Sequence, residues 1–265
     1  MPDKDKFWDN IWDCDRAIYQ LTENEREKIE FIMKSIPNDV ATICDVGSGI
    51  GKVSNRLVMS YDVVAIDRSL IGLKKVKVLK KAIGDLQYLP ISDRSFDMVL
   101  CTEVLEHIGN HEEFRSVLKD LERVSKKYIL ITNPANDDPG YYIVRCNHCG
   151  ATFHPSQHVR YFSKETYNSL FPQYRLLALK ETGRRYIGVK ALINLALFFS
   201  NWTGDAYEGM VCLVCGNPIR CISYRRNIIS MAFKAINALI WRFKKLCRIY
   251  RAQNYVVLYE RLDKD

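Results

Sequence analysis

The sequence predicts an α/β fold: a seven-stranded, doubly wound sheet whose last strand runs antiparallel, carrying a cysteine-rich, helical insertion. Three observations predict it. Strand-like apolar runs alternate with helical spacing from Val40 to Pro134, the pattern of a parallel sheet covered by helices on both faces. Glycines 47, 49 and 51 follow the first apolar run at alternating positions. Two Cys-x-x-Cys-Gly repeats, at 146–150 and 212–216, stand outside that alternation.

Taken in order, the chain opens with Phe7, Trp8, Trp12 and Tyr19. Thr22 and Glu25 then form a capping signal for a helix running to about Ser35, so residues 1–39 read as an N-terminal helical cap. Strands are expected at 41–46, 61–67, 80–84, 96–101 and 127–133, with helices near 50–58, 69–76 and 112–125. Residues 163–183 read as a capped helix and a sixth strand from Tyr174. The seventh strand appears only at Tyr255–Glu260. The core is therefore 40–183 with 253–265. Residues 184–252 are an insertion between two strands that would otherwise form a hairpin.

The glycine turn is where a ligand can approach bare backbone, because no Cβ intervenes and the following helix start offers N–H donors. The spacing of Gly47, Gly49 and Gly51 is not that of a dinucleotide pyrophosphate site. Asp67 ends the next strand, 22 positions after Asp45, where a Rossmann-like site holds ribose hydroxyls. Gly84-Asp85-Leu86 follows, and then Ser95-Phe96-Asp97 leading to Glu103-Val104-Leu105-Glu106-His107. At these four motifs, over roughly residues 40–135, the chain resembles the class I S-adenosylmethionine (SAM)-dependent methyltransferases, in the type 11, ubiquinone-biosynthesis-like subgroup. The resemblance implies SAM as cofactor, held by Asp45, Gly47, Ser48, Gly49, Gly51, Asp67, Asp85, Leu86, Thr102 and Glu103. In it, Asp85 and Leu86 face the adenine, and Thr102 and Glu103 lie beside methyl transfer. It also implies that the aromatic N-terminal helix covers the cofactor and substrate. The alternative is a helix packed on the sheet.

At 265 residues, 48% hydrophobic and 26% charged, the chain has the composition of a globular protein with a full core. Its start lacks the apolar stretch of a secretory signal, its longest apolar run (191–199) is too short to span a membrane, and its nine cysteines suggest reduced thiols. These point to the cytoplasm. The net charge of +8 is concentrated between Arg220 and Arg251, a stretch holding nine basic residues and no acid, so the rest is near neutral. A whole-protein electrostatic case for nucleic acid fails on that count.

Cys146-Asn147-His148-Cys149-Gly150 and Cys212-Leu213-Val214-Cys215-Gly216 have the form of zinc knuckles, where glycine completes a turn that aims backbone N–H groups at thiolates. Together Cys146, Cys149, Cys212 and Cys215 supply four sulfurs for a closed structural zinc site. A rival set is Cys146, Cys149, His154 and His158, at a spacing short for a zinc finger. Cys14, Cys44, Cys101 and Cys247 fall at apolar positions and are expected to be buried; Cys221 is undecided.

His158 lies in a segment similar to one that some of these methyltransferases place over the substrate, and His107 follows Glu106 as often in the family. Either is a candidate base for a hydroxyl acceptor, against the plainer role of a hydrogen-bonded structural histidine. From 228 to 250 apolar residues recur at helical spacing, with Lys234, Lys245 and Arg248 on the other side. This basic helix covers the core, docks on an anionic membrane, or contacts RNA phosphates. The apolar helix expected over 186–199 favours a lipid-linked acceptor. The function expected is methyl transfer to a small-molecule, lipid-linked or glycan acceptor, at oxygen. The alternatives are an RNA methyltransferase using the insertion and a non-catalytic zinc-binding module of the same fold.

Overall fold

The computed structural model describes residues 4–13, 20–135, 137, 144–185, 210, 212, 214–217, 219, 228–247 and 250–262. The chain forms two compact units. One comprises Asp3–Asn136, Arg160–Gly183 and Gln253–Asp265; the other contains Asp137–Val159 and Arg184–Ala252.

The first unit is built on β1 (Thr42–Val46), β2 (Asp62–Asp67), β3 (Lys80–Ile83), β4 (Phe96–Thr102), β5 (Ser125–Pro134), β8 (Tyr174–Thr182) and β9 (Asn254–Arg261). The intervening β6 (Val144–Arg145) and β7 (Thr152–Phe153) pair only with each other, in the second unit. The large sheet has the order β3-β2-β1-β4-β5-β9-β8. Its first five strands are parallel, and β9 runs antiparallel to both β5 and β8. Strand order thus reverses between β1 and β4, and at such a point a doubly wound sheet opens a crevice at its carboxyl ends.

Helix α1 spans Lys4–Asp13 and α2 spans Glu23–Ser35, which the expected Thr22–Glu25 capping box starts. Short α3 (Ser54–Leu57) and α4 (Leu70–Lys75) follow β1 and β2. Helix α5 (His111–Val124) is capped by Asn110, and it buries Phe114, Val117, Leu121 and Val124, one stripe of i, i+3, i+7, i+10 spacing. The core joins Ile29 and Ile32 of α2 to Ile43, Val63, Met98, Leu100 and Leu130 of the sheet. Asp97 ties β4 to β1: its carboxylate accepts from the N–H groups of Ala41 and Thr42 and from the Thr42 hydroxyl. Against the cost of partial burial, these donors hold Asp97 down to about 2.

Two expected helices are shorter. After β1 most of 50–58 is turn, because Gly51 takes a left-handed φ of 78° and helix begins only at Ser54. Residues 165–169 close as a 3-10 turn. The expected helix at 186–199, Cys14 and Cys221 lie outside the described residues.

In the second unit, α6 (Ile228–Leu246) is the basic helix of the sequence. Cys247, expected to be buried, is exposed at its end; Cys44 and Cys101 are buried as expected. No helix among the described residues is long and apolar enough to cross a membrane.

Candidate cofactor crevice and metal centre

The turn after β1 is stitched to β2, as the N–H groups of Gly47 and Ser48 both donate to the Ile66 carbonyl, at 2.8 and 3.0 Å. Asp67, at the end of β2, accepts from Gly49 N–H at 2.7 Å on one oxygen and from Ser69 N–H at 2.8 Å on the other. Burial raises its pKa against those two donors. Asp45 is wholly enclosed, takes the Ser54 hydroxyl on one oxygen, and is pushed up to about 6 by burial and by the nearby Asp67. Its other oxygen and the Ser48 hydroxyl are buried with no partner among the described residues. Two orphaned polar atoms at one turn mark a place where a polar ligand or water belongs.

Gly47 and Gly49 are required here twice over. Both have left-handed φ, 75° and 55°, and a Cβ on Gly47 would lie 2.4 Å from Val104. A Cβ on Gly49 would lie 2.9 Å from the indole of Trp12, so part of the close approach the glycines permit is made by α1. Helix α1 is anchored there: Asp9 accepts from Ser69 Oγ and from Ile71 N–H, and Lys75 reaches the Trp12 carbonyl. Trp8 stacks on Trp12 and meets the edge of His107, with ring centroids 4.9 Å apart.

After β3, Asp85 accepts from Gln87 N–H at 2.9 Å and pairs with Arg68 at 3.2 Å, with Leu86 half-buried beside it. Thr102 ends β4, and Glu103 follows with φ of 55°, a strained conformation for a residue with a side chain. Its carboxylate gathers Lys28 at 3.2 Å, Thr132 at 2.8 Å and Asn254 at 2.9 Å. Fully buried Glu106 takes Asn133 Nδ2 at 2.9 Å, and Tyr167 donates to the same amide at 3.3 Å. Burial and the charge of Glu103 push the Glu106 carboxyl well above the usual carboxylate range. All ten sequence-predicted cofactor residues thus stand at the carboxyl ends of four adjacent strands. Lys28, Tyr167 and Asn254 were not legible as neighbours of these residues, since no spacing links positions so far apart.

In the second unit the four cysteines converge. Cys146 and Cys215 sulfurs are 3.7 Å apart, Cys149 and Cys212 likewise, and all four lie within 4.8 Å of one another. Tetrahedral ligation with Zn–S bonds of about 2.3 Å requires sulfurs about 3.8 Å apart. The two knuckles repeat one geometry, with His148 N–H and Val214 N–H aimed at the first sulfur of each and Gly150 and Gly216 closing each turn. The donor set fits a soft, tetrahedral cation, and it excludes the rival set.

His154 and His158 instead surround Asp137. His158 Nδ1 lies 2.6 Å from one carboxylate oxygen, Arg185 lies 2.6 Å from the other, and His154 Nε2 is at 3.6 Å. Burial acts to raise Asp137, but the His158 hydrogen bond and the Arg185 charge hold it below its ordinary value. The ionised carboxylate therefore accepts the His158 Nδ1 proton. His154 Nδ1 accepts from the N–H groups of Ser156 and His158, its ring stacks on His158 at 4.5 Å, and burial with the neighbouring charges lowers it to about 4. Sequence reasoning found both histidines and missed Asp137 and Arg185.

Residues 44–129 match a family described as Methyltransferase domain. The chain is 32% identical over 157 residues to the ubiquinone biosynthesis O-methyltransferase of Rickettsia bellii, an alignment covering 53% of this chain and 63% of that protein. It spans about half to two thirds of the length of the curated relatives it matches. Among solved structures it resembles a SAM-dependent methyltransferase from Archaeoglobus fulgidus, with TM-score 0.51 and 15% identity over 90% of this chain and 95% of that one. The cyclase SpnF is comparably similar, with TM-score 0.53 and 14% identity over 89% and 80%. One fold thus serves more than one chemistry, and function must be read from the site. The chain has the class I methyltransferase fold, with a cysteine cluster able to bind a metal.

Proposed function

We propose that the protein is a SAM-dependent methyltransferase acting on an oxygen of a small-molecule, lipid-linked or glycan acceptor. One observation carries the reading: two buried carboxylates, Asp45 and Asp67, flank a glycine turn that holds orphaned polar atoms. Asp67 would accept ribose hydroxyls on the lone pairs its backbone donors leave available. Gly47, Ser48, Gly49 and Gly51 would line the methionine part, and Asp85 with Leu86 the adenine. Thr102 and Glu103 would border the reacting centre. The cofactor supplies an electrophilic methyl carbon on a sulfonium, and the protein's contribution is positioning of the acceptor oxygen in line with it.

A hydroxyl acceptor has a proton to lose. His158 and His107 are the candidate bases, and the Asp137 carboxylate orients the His158 ring through its Nδ1. The name of the Rickettsia relative, an O-methyltransferase, supports oxygen as the acceptor atom. The four sulfurs are assigned to a structural zinc ion, since they leave no ligand position open.

Calorimetric titration with S-adenosylhomocysteine tests the reading. Wild-type protein should bind at one site, and Asp67→Ala should weaken binding at least tenfold. Absence of binding by wild type would leave the non-catalytic module as the better account. Incubation of cell extract with methyl-labelled SAM then identifies the acceptor by mass; labelled RNA would establish the RNA alternative instead.

A further inference from the structure

Among its described side chains, helix α6 leaves an apolar line uncovered. Ile236, Leu239, Phe243 and Leu246 recur at i, i+3, i+7 and i+10, and so form one stripe. These residues are 44, 63, 61 and 83% exposed. Among the described residues of the helix the half-buried ones are Asn237, Ile240 and Lys244, on the flank of that stripe. A helix seated by its flank, with its most apolar line outward, leaves a contiguous hydrophobic surface in need of a partner.

Charge states which partner. Arg242 borders the stripe on one edge and Lys244 on the other, while Lys245 lies 5.2 Å from the exposed Trp241 ring. No acid occurs anywhere from Arg220 to Arg251. Leucine, isoleucine and phenylalanine along one line, edged by cations whose long stems can reach past them, match a bilayer interface with anionic headgroups. A second copy of this chain would bring like charge against like charge.

We propose that α6 lies in the plane of an anionic membrane, inserting Ile236, Leu239, Phe243 and Leu246 between headgroups that Arg242 and Lys244 contact. This deepens the lipid-linked arm of the acceptor proposal, but it depends on no feature of the cofactor crevice.

The test uses the full chain in co-sedimentation with vesicles of phosphatidylcholine alone and of phosphatidylcholine mixed with phosphatidylserine. Wild type should partition onto the anionic vesicles at least tenfold more strongly, with the difference shrinking as salt is raised. Leu239→Ser with Phe243→Ser should abolish most of that binding. Arg242→Ser should reduce it by about fivefold. All three positions are exposed, and retained S-adenosylhomocysteine affinity would show that the variants fold and that the crevice reading stands independently. Equal binding by wild type and the Leu239/Phe243 variant would overturn the proposal. So would a wild-type dimer that this variant converts to monomer, or salt-sensitive binding to single-stranded RNA without binding to vesicles.

Discussion

Asp45 gives the sharpest test of the crevice. Its carboxyl is fully enclosed and titrates near 6 in the fold, against 3.8 for a free aspartate. The folded state therefore holds the proton more tightly than the unfolded chain does. The stability this confers is fully present below about pH 4 and is lost as pH rises through 6. The difference corresponds to about 3 kcal/mol between the two limits. Asp45→Asn keeps the shape of the side chain and removes the ionisation, while weakening the hydrogen bond from Ser54 by about 1 kcal/mol. The net expectation at pH 7.5 is a gain of about 2 kcal/mol, or roughly 4–8 °C in Tm for a protein of this size. At pH 4 the wild-type carboxyl is already protonated, and the variant should be equal or slightly less stable. Thermal unfolding of both proteins between pH 4 and 8 measures the crossover. Parallel curves that never cross, or a variant less stable at every pH, would refute the assignment of Asp45 as a carboxylate buried at a cost.

Four further outcomes follow from the same structure. Gly49→Ala should destabilise by about 1–2 kcal/mol through its left-handed φ, and the added Cβ meets Trp12 at 2.9 Å. In a Trp12→Ala background chemical denaturation should show a smaller penalty, and an identical one would mean that α1 does not pack there. Asp137→Ala leaves Arg185 and His158 without their shared carboxylate. About 3 kcal/mol of destabilisation is expected, and nitrogen-resolved NMR of the histidines should show the His158 proton no longer fixed on Nδ1. His154 should stay neutral down to about pH 4 in wild type. Cys149→Ser and Cys215→Ser should each release the metal, read as zinc per chain by elemental analysis; full stoichiometry in both would defeat the four-sulfur site.

Much of this molecule is legible in its sequence because the informative signals are local. Alternating apolar runs place the strands, Thr22 and Glu25 start α2, and glycines at 47 and 49 announce a turn that only left-handed backbone can make. A Cys-x-x-Cys-Gly knuckle is a local object too, and so the chain itself names its four sulfurs before any fold is known. Cys247 shows the limit of such reasoning: helical spacing marks an apolar face, but not whether that face is covered.

What the linear chain determined, then, is which residues carry chemistry and which secondary structure delivers each of them. Tertiary structure alone decided who their neighbours are. Asp137 meets His158 and Arg185, and Glu103 meets Lys28 and Asn254, across 21 to 151 positions of chain. Such pairings arise from strand order and from the burial that forces each buried charge to find a partner, and neither is written in the spacing of residues along the chain.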